Sequence, residues 1–154
     1  MDYQHVMKPS KTPLVIESTS SKQPKNEIDG STTKMAAKGE TYRPAFPPSE
    51  KPHISTGLPF EKACAHHVTS TFHASRVYII VSRSISKTDA FTRLEKALEG
   101  KVIGVRKGIK PHTPWDDIVS IVNDVREKDP DLIITLGAGS LTDGAKVIRF
   151  VSLS

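Results

Sequence analysis

The chain has 154 residues, 36% of them hydrophobic and 25% charged, with a formal charge of +5. That is room for one ordinary domain in a globular protein. No apolar run approaches the ~20 residues that cross a bilayer, and the start Met1-Asp2-Tyr3-Gln4-His5 lacks the charged and apolar regions of a secretory leader. The basic residues are scattered with no aromatic interleaving, which sets nucleic acid aside as a partner. One cysteine, Cys64, excludes an internal disulfide and suits a reducing compartment. The expected location is cytoplasmic, with a mitochondrial one left open.

Residues 1–40 are rich in Ser, Thr, Lys and Pro, and Leu14-Val15-Ile16 is their only apolar patch. Such a segment buries too little surface to offset its ordering entropy, so a disordered tail is expected. Met35 is an alternative start. Residues 41–154 are expected to form the ordered part of the chain, entered through an extended stretch marked by Pro44, Pro47, Pro48 and Pro52. Phe60, Cys64, Val68 and Phe72 recur at every fourth position and predict a helix with one apolar stripe. The β-branched run Val77-Tyr78-Ile79-Ile80-Val81 predicts a strand. Ser86 and Asp89 have capping-box spacing, and Phe91, Leu94 and Leu98 give a second helical stripe that stops at Gly100.

A short strand is expected at Val102-Ile103-Gly104-Val105. Thr113 and Pro114 then read as N-cap and first helical residue. Asp116 and Asp117 follow in the first turn, where the helix dipole favours negative charge. Trp115, Ile118, Val119, Val122 and Val125 supply that helix with an apolar face, and Asp129-Pro130-Asp131 ends it. Leu132-Ile133-Ile134-Thr135-Leu136 is the third strand, followed by a glycine turn and another helix. Nearly continuous apolar strands alternating with helices imply an α/β fold, a partial doubly wound parallel sheet of Rossmann-like type with helices on both faces.

The glycine turn is the richest segment: Gly137, Ala138, Gly139 and Ser140 lie between a buried strand and a helix, followed by Asp143, Gly144 and Lys146. Glycines allow an anion to approach the backbone, and the first-turn N–H groups and the helix dipole attract it. In open α/β sheets ligands bind beyond the carboxyl ends of the strands. The turn is neither a Walker A loop, which needs Gly-Lys-Ser/Thr, nor a G-x-G-x-x-G fingerprint, since Thr142 stands where the last glycine belongs. A purely structural reading stands beside this one: Ser140 and Asp143 also have capping-box spacing, with the glycines serving only the turn.

The string from Gly137 to Lys146 resembles the G-G-G-S-x-x-D-x-A-K signature of the iron-containing alcohol dehydrogenases. The segment Lys110-Pro111-His112-Thr113-Pro114 is similar to that family's Pro-Asn-Pro-Thr turn, the run from Asp131 to Leu136 to its strand into the glycines, and Gly57-Leu58-Pro59-Phe60 to its opening before the first helix. The resemblance spans about residues 40–150 and implies that residues 41–154 form an incomplete, dehydroquinate-synthase-like N-terminal nucleotide-binding domain. It also implies a nicotinamide cofactor, NAD or NADP, whose pyrophosphate sits on Gly137, Ala138, Gly139 and Ser140 with Asp143 beside them. The complete family form interconverts alcohols and aldehydes with iron or zinc as Lewis acid.

Ala138 departs from the family's middle glycine. Asp143, where maleylacetate reductases carry glycine, favours the alcohol dehydrogenase branch over that neighbouring one. Where NAD-using members often have an acidic residue at the end of the first strand, this chain has Ser82-Arg83-Ser84. Arg83 is therefore a candidate for a 2′-phosphate, hence NADP, with a solvated arginine as the plainer reading.

The family's metal ligands, one Asp and three His, lie in an all-helical domain beyond the matched part, so no catalytic and no metal-binding residue is expected in this chain. His66, His67 and His73 cluster in sequence, but His66 and His67 point roughly 100° apart on a helix and have no carboxylate at i+3 or i+4. His66 is expected to be solvated and His67 partly packed. Cys64 reads as a buried structural thiol, and Lys146 as solvated or reaching the cofactor. Two further expectations concern the chain as it stands: a non-catalytic piece that binds nucleotide weakly or pairs with itself or a full-length relative, and a sheet with open edges prone to association. These 154 residues alone are expected to show no alcohol oxidation with NAD or NADP after addition of iron or zinc. Measured turnover in a spectrophotometric assay would overturn this.

Overall fold

The computed structural model describes residues 14–15, 36–49, 51–109, 114–137 and 139–152. Strands Leu14–Val15 (β1), Thr41–Pro44 (β2) and His53–Thr56 (β3) precede helix Phe60–Ser70 (α1). Strand Val77–Val81 (β4), a 3-10 turn at Ile85–Lys87, helix Asp89–Ala97 (α2) and strand Val102–Lys107 (β5) follow. Helix Trp115–Lys128 (α3), strand Leu132–Leu136 (β6) and helix Gly139–Ser152 (α4) complete the order. The expectation for residues 1–40 falls mostly outside the described residues; within them, Leu14 and Val15 lie beside Ile134 and Thr135.

The main sheet has the order β1-β6-β4-β5, and every neighbouring pair is parallel. All five residues of β4 and all five of β6 are buried. Period-two alternation explains how both faces are covered. Val77, Ile79 and Val81, with Leu132, Ile134 and Leu136, pack against Cys64 and Val68 of α1 and Phe91 and Leu94 of α2. Tyr78, Ile80 and Ile133 point the other way, into Ile118, Ile121, Val122 and Val125 of α3 and Leu141, Ala145 and Ile148 of α4. The result is the doubly wound α/β arrangement that the apolar strands imply.

The chain leaves β4 toward β5 on one side and returns to β6 on the other. With right-handed crossovers, that reversal puts α2 and α3 on opposite faces and opens a crevice beyond the carboxyl ends of β4 and β6. The opposite edge is closed by side chains. The Asp131 carboxylate accepts from the Ser75 amide at 2.9 Å, the Ser75 hydroxyl at 3.0 Å and the Arg76 amide at 3.0 Å. The Arg76 guanidinium donates to the Asp129 carbonyl at 3.0 Å and to the Lys128 carbonyl.

Several local expectations are corrected. The proline-rich lead-in forms an antiparallel hairpin, with Thr41 opposite Thr56 and Pro44 opposite His53. These strands are too short for an alternation pattern to reveal them. Thr88 rather than Ser86 caps α2, its hydroxyl accepting from the Phe91 amide, while the Ser86 hydroxyl turns to the Arg83 carbonyl. Helix α3 begins at Trp115 with Pro114 as its N-cap residue, and Thr113 lies outside the described residues. Trp115 is 63% exposed and Val119 37% exposed; Ile121 takes the inward place instead. The apolar face is thus centred one residue around from the expected stripe.

Strand β5 runs two residues beyond the expected segment and carries an irregularity. Val77 faces Val102 and Tyr78 faces Gly104, so Ile103 is the extra residue of a bulge. Gly104 matters for room: a Cβ there would lie 2.6 Å from Cδ2 and Cε2 of Tyr78. The Tyr78 hydroxyl donates to Asp124 on α3, which also accepts from Lys128. Burial, together with Asp124, pushes the Tyr78 phenol well above its ordinary pKa, so it remains a donor. Gly104→Ala is expected to cost about 1–3 kcal/mol in urea unfolding through overpacking of this ring. An unchanged midpoint would show that the Tyr78 ring has room to move.

Candidate functional site

The reversal of strand order brings Ser82, just past β4, beside Gly137, just past β6. The Ser82 amide donates to the Leu136 carbonyl at 2.8 Å. Gly137 has φ +156°, and a Cβ on it would come within 3.2 Å of the Ser82 Cβ, so a side chain at residue 137 would press into the β4 end of the crevice. Gly139 begins α4, and a Cβ on it would meet nothing within 4 Å. The backbone at the start of this 14-residue helix is thus open beside Gly139, and the unpaired amides of a helix's first turn suit an anion. Two residues upstream of Gly137, the buried Thr135 hydroxyl has no hydrogen-bond partner among the described residues.

Of the residues proposed from the sequence, Ser82, Gly137 and Gly139 come together here. Ser140 follows inside the first turn rather than capping it, because α4 already starts at Gly139. Ala138 is outside the described residues. Asp143 does not close a capping box: its carboxylate accepts from Lys146 at 3.2 Å, with both side chains largely exposed. An exposed pair of this kind contributes only a few tenths of a kcal/mol, of the order of ~0.3. The Lys110-to-Thr113 turn, including His112, lies outside the described residues.

Arg83 lies at the β5 side of the same edge. An open cleft of about 430 Å³ is lined there by Arg83, Val105, Arg106, Lys107, Gly108 and Asp117. Gly108 has φ +81°, and its amide donates to the Val81 carbonyl at 2.6 Å. Arg106 is held by Asp117, a buried carboxylate in the first turn of α3. Dipole complementarity alone accounts for Asp117 in the local pattern; its partner stands eleven positions earlier on another element.

A second polar cluster was not anticipated. His67 is 2% exposed and edge-on to His66, which is half-buried rather than solvated. The His67 Nε2 lies 2.6 Å from Glu40 Oε1, and its Nδ1 lies 2.7 Å from the Thr71 hydroxyl. A carboxylate only accepts, so in a neutral ring Nε2–H donates to Glu40 and Nδ1 accepts from Thr71. Glu40 also accepts from the Ser55 hydroxyl and from the Ala37 amide at 2.8 Å. Tyr42 stacks between His53 and His67, with centroid distances of 4.7 and 4.5 Å. This cluster fastens the β2–β3 hairpin to α1. Burial pushes the Glu40 carboxyl up, but its donors Ser55, Ala37 and His67 together outweigh burial and hold it below the ordinary carboxylate value. Helical spacing from His67 cannot reveal a partner 27 residues upstream.

Cys64 is buried as expected, 1% exposed, and burial raises its thiol to about 12. Among the described residues no three His, Cys, Asp or Glu side chains converge to hold a metal ion, and no helix is long and apolar enough to cross a membrane.

Fold and crevice place the chain among the doubly wound α/β proteins that hold a glycine turn at the point where strand order reverses. The sequence pattern of the iron-containing alcohol dehydrogenases matches residues 56–153. The chain belongs to that family of oxidoreductases. It is 44% identical to Dehydrogenase FUM7 of Gibberella moniliformis over 105 residues, covering 68% of this chain and 24% of that protein. It is 47% identical to Dehydrogenase ALT3 of Alternaria alternata over 79 residues, covering 51% of this chain and 21% of that protein. The chain thus spans less than a quarter of the length of these relatives. The crystal structure of maleylacetate reductase from Agrobacterium tumefaciens shares the fold, with a TM-score of 0.51 at 23% identity over 61% of this chain and 26% of that one.

The Glu40 network gives a pH signature. A carboxyl with a lowered folded pKa contributes stability in full above its unfolded value, ~4.3, and loses it as pH falls through the lower folded value. Glu40→Gln is expected to reduce stability near neutral pH by about 2 kcal/mol and to flatten the acid limb of the melting temperature–pH curve. Parallel curves for the two proteins would remove Glu40 from that role.

Proposed function

We propose that this chain provides the dinucleotide-binding part of an NAD(P)-dependent dehydrogenase acting on an alcohol or aldehyde. In this reading the cofactor's pyrophosphate lies on the backbone of Gly137, Ala138, Gly139 and Ser140 at the start of α4, with Asp143 on the helix beyond. Ser82 and Arg83 face the adenosine ribose. The single observation that carries it is the juxtaposition of Ser82 and Gly137 where strand order reverses, with the open space beside Gly139 at the start of a long helix.

What these residues do is bind and orient. The α4 amides neutralise the diphosphate charge, and the bare Cα of Gly139 lets it approach. The nicotinamide, once bound, carries the hydride. The metal's Lewis-acid chemistry is not assigned to these residues, because no ligand set converges among those described. Asp143 supports the alcohol dehydrogenase branch over a maleylacetate reductase-like one, and a complete family form would take a small alcohol or aldehyde.

Gly139→Val separates binding from folding, since a Cβ there would meet nothing within 4 Å in the fold. The variant is expected to melt within about 2 °C of the parent, given the similar helix propensities of Gly and Val, yet to lose the fluorescence change of NADH or NADPH on titration. Undiminished binding by the variant, or no binding of either dinucleotide by the parent, would overturn the proposal.

A further inference from the structure

Four charged side chains surround the cleft at the ends of β4 and β5: Arg83, Arg106, Lys107 and Asp117. They are not equivalent. Arg106 and Asp117 are already paired, and the Asp117 carboxylate is 5% exposed, so that pair is internally neutral. Arg83 and Lys107 are both exposed, and among the described residues neither has a carboxylate within ion-pair reach. Among the described residues the cleft lining therefore carries two positive charges in excess.

Gly108 shapes how these two cations are presented. A Cβ on it would lie 2.7 Å from Arg83 Cγ and 3.0 Å from Arg83 Nε. The Arg83 stem thus lies flat across the bare backbone of residue 108, immediately after Lys107. The hydrogen bond from the Gly108 amide to the Val81 carbonyl ties the two strand ends together, which holds both cations at one edge. The Ser82 and Ser84 hydroxyls, 3.2 Å apart, flank Arg83.

We propose that Arg83 and Lys107 are two arms of a clamp for a phosphomonoester dianion, the 2′-phosphate of NADP, and that Lys107 is a specificity-determining residue. This rests on the reading that the chain binds a nicotinamide dinucleotide. A phosphomonoester carries a charge of about −1.5 to −2 at neutral pH, which matches the two uncompensated cations. A plain ribose diol needs an acceptor such as a carboxylate. Among the described residues Asp117 supplies the one carboxylate lining this cleft, and it is engaged by Arg106. Arg106 is a positioning residue: held by Asp117, it keeps that carboxylate from neutralising the arms.

The test titrates this chain with 2′,5′-ADP, 5′-ADP and inorganic phosphate by isothermal calorimetry. The expected preference for 2′,5′-ADP over 5′-ADP is about tenfold or more. Lys107→Ala is expected to cut that ratio about tenfold and Lys107→Arg to restore most of it. Lys96→Ala, at the end of α2 remote from the crevice, leaves the ratio unchanged. If 5′-ADP binds but the ratio is near one, or is untouched by Lys107→Ala, the clamp is wrong while the dinucleotide reading stands. If inorganic phosphate binds as tightly as 2′,5′-ADP, the cleft recognises free phosphate and the clamp is also wrong. If neither nucleotide binds, both readings fall.

Discussion

Strand β4 has no solvated face and no free edge. Its five residues are buried, β5 and β6 take its two sides, and its alternate side chains fill two different cores. Everything else is arranged to keep it dry. Helices α1 and α2 cover one face and α3 and α4 the other, and the opposed directions in which the chain leaves and rejoins this strand create the crevice. A polar residue within Val77–Val81 would strike both the stability of the core and the position of Ser82.

The two ends of the sheet have contrasting chemistry. At the amino ends, Asp131 and Arg76 consume backbone donors and acceptors of neighbouring segments, leaving a closed seam. At the carboxyl ends, Gly108, Gly137 and Gly139 withdraw side chains from the backbone, and among the described residues Arg83 and Lys107 have no carboxylate partner. Rigidity at one end and accessible backbone at the other are complementary requirements: an anion site made of amides works only if the strands that present them do not shift.

The architecture was legible in the sequence because it depends on periodicity. Val77-to-Val81 and Leu132-to-Leu136 are too apolar for a half-solvated strand, and the stripe through Cys64 and Val68 has helical spacing. The glycine turn was legible because its residue types are chosen by backbone geometry. Interactions between distant segments were not. Glu40 and His67 are separated by a hairpin and most of a helix, and nothing in the local pattern of either names the other. Arg106 and Asp117 meet only because α3 starts above the end of β5. The Thr88 cap, two residues beyond where spacing placed it, shows a third limit: a 3-10 turn at Ile85–Lys87 shifts the start of the helix, and sequence spacing carries no mark of that turn. The family resemblance drawn from ordered short matches held, since residues 56–153 match the family as a whole.

Cys64 sits where α1 meets the sheet, enclosed by core residues, with its thiol held protonated far beyond neutral pH. Only a thiolate reacts with alkylating reagents, so the closed molecule is chemically silent. Modification then requires the helix to lift away from β4, and its rate reports how much of the time that seam stands open when reclosing outpaces the chemistry. The chain carries its own clock for breathing at this seam, and it needs no introduced label.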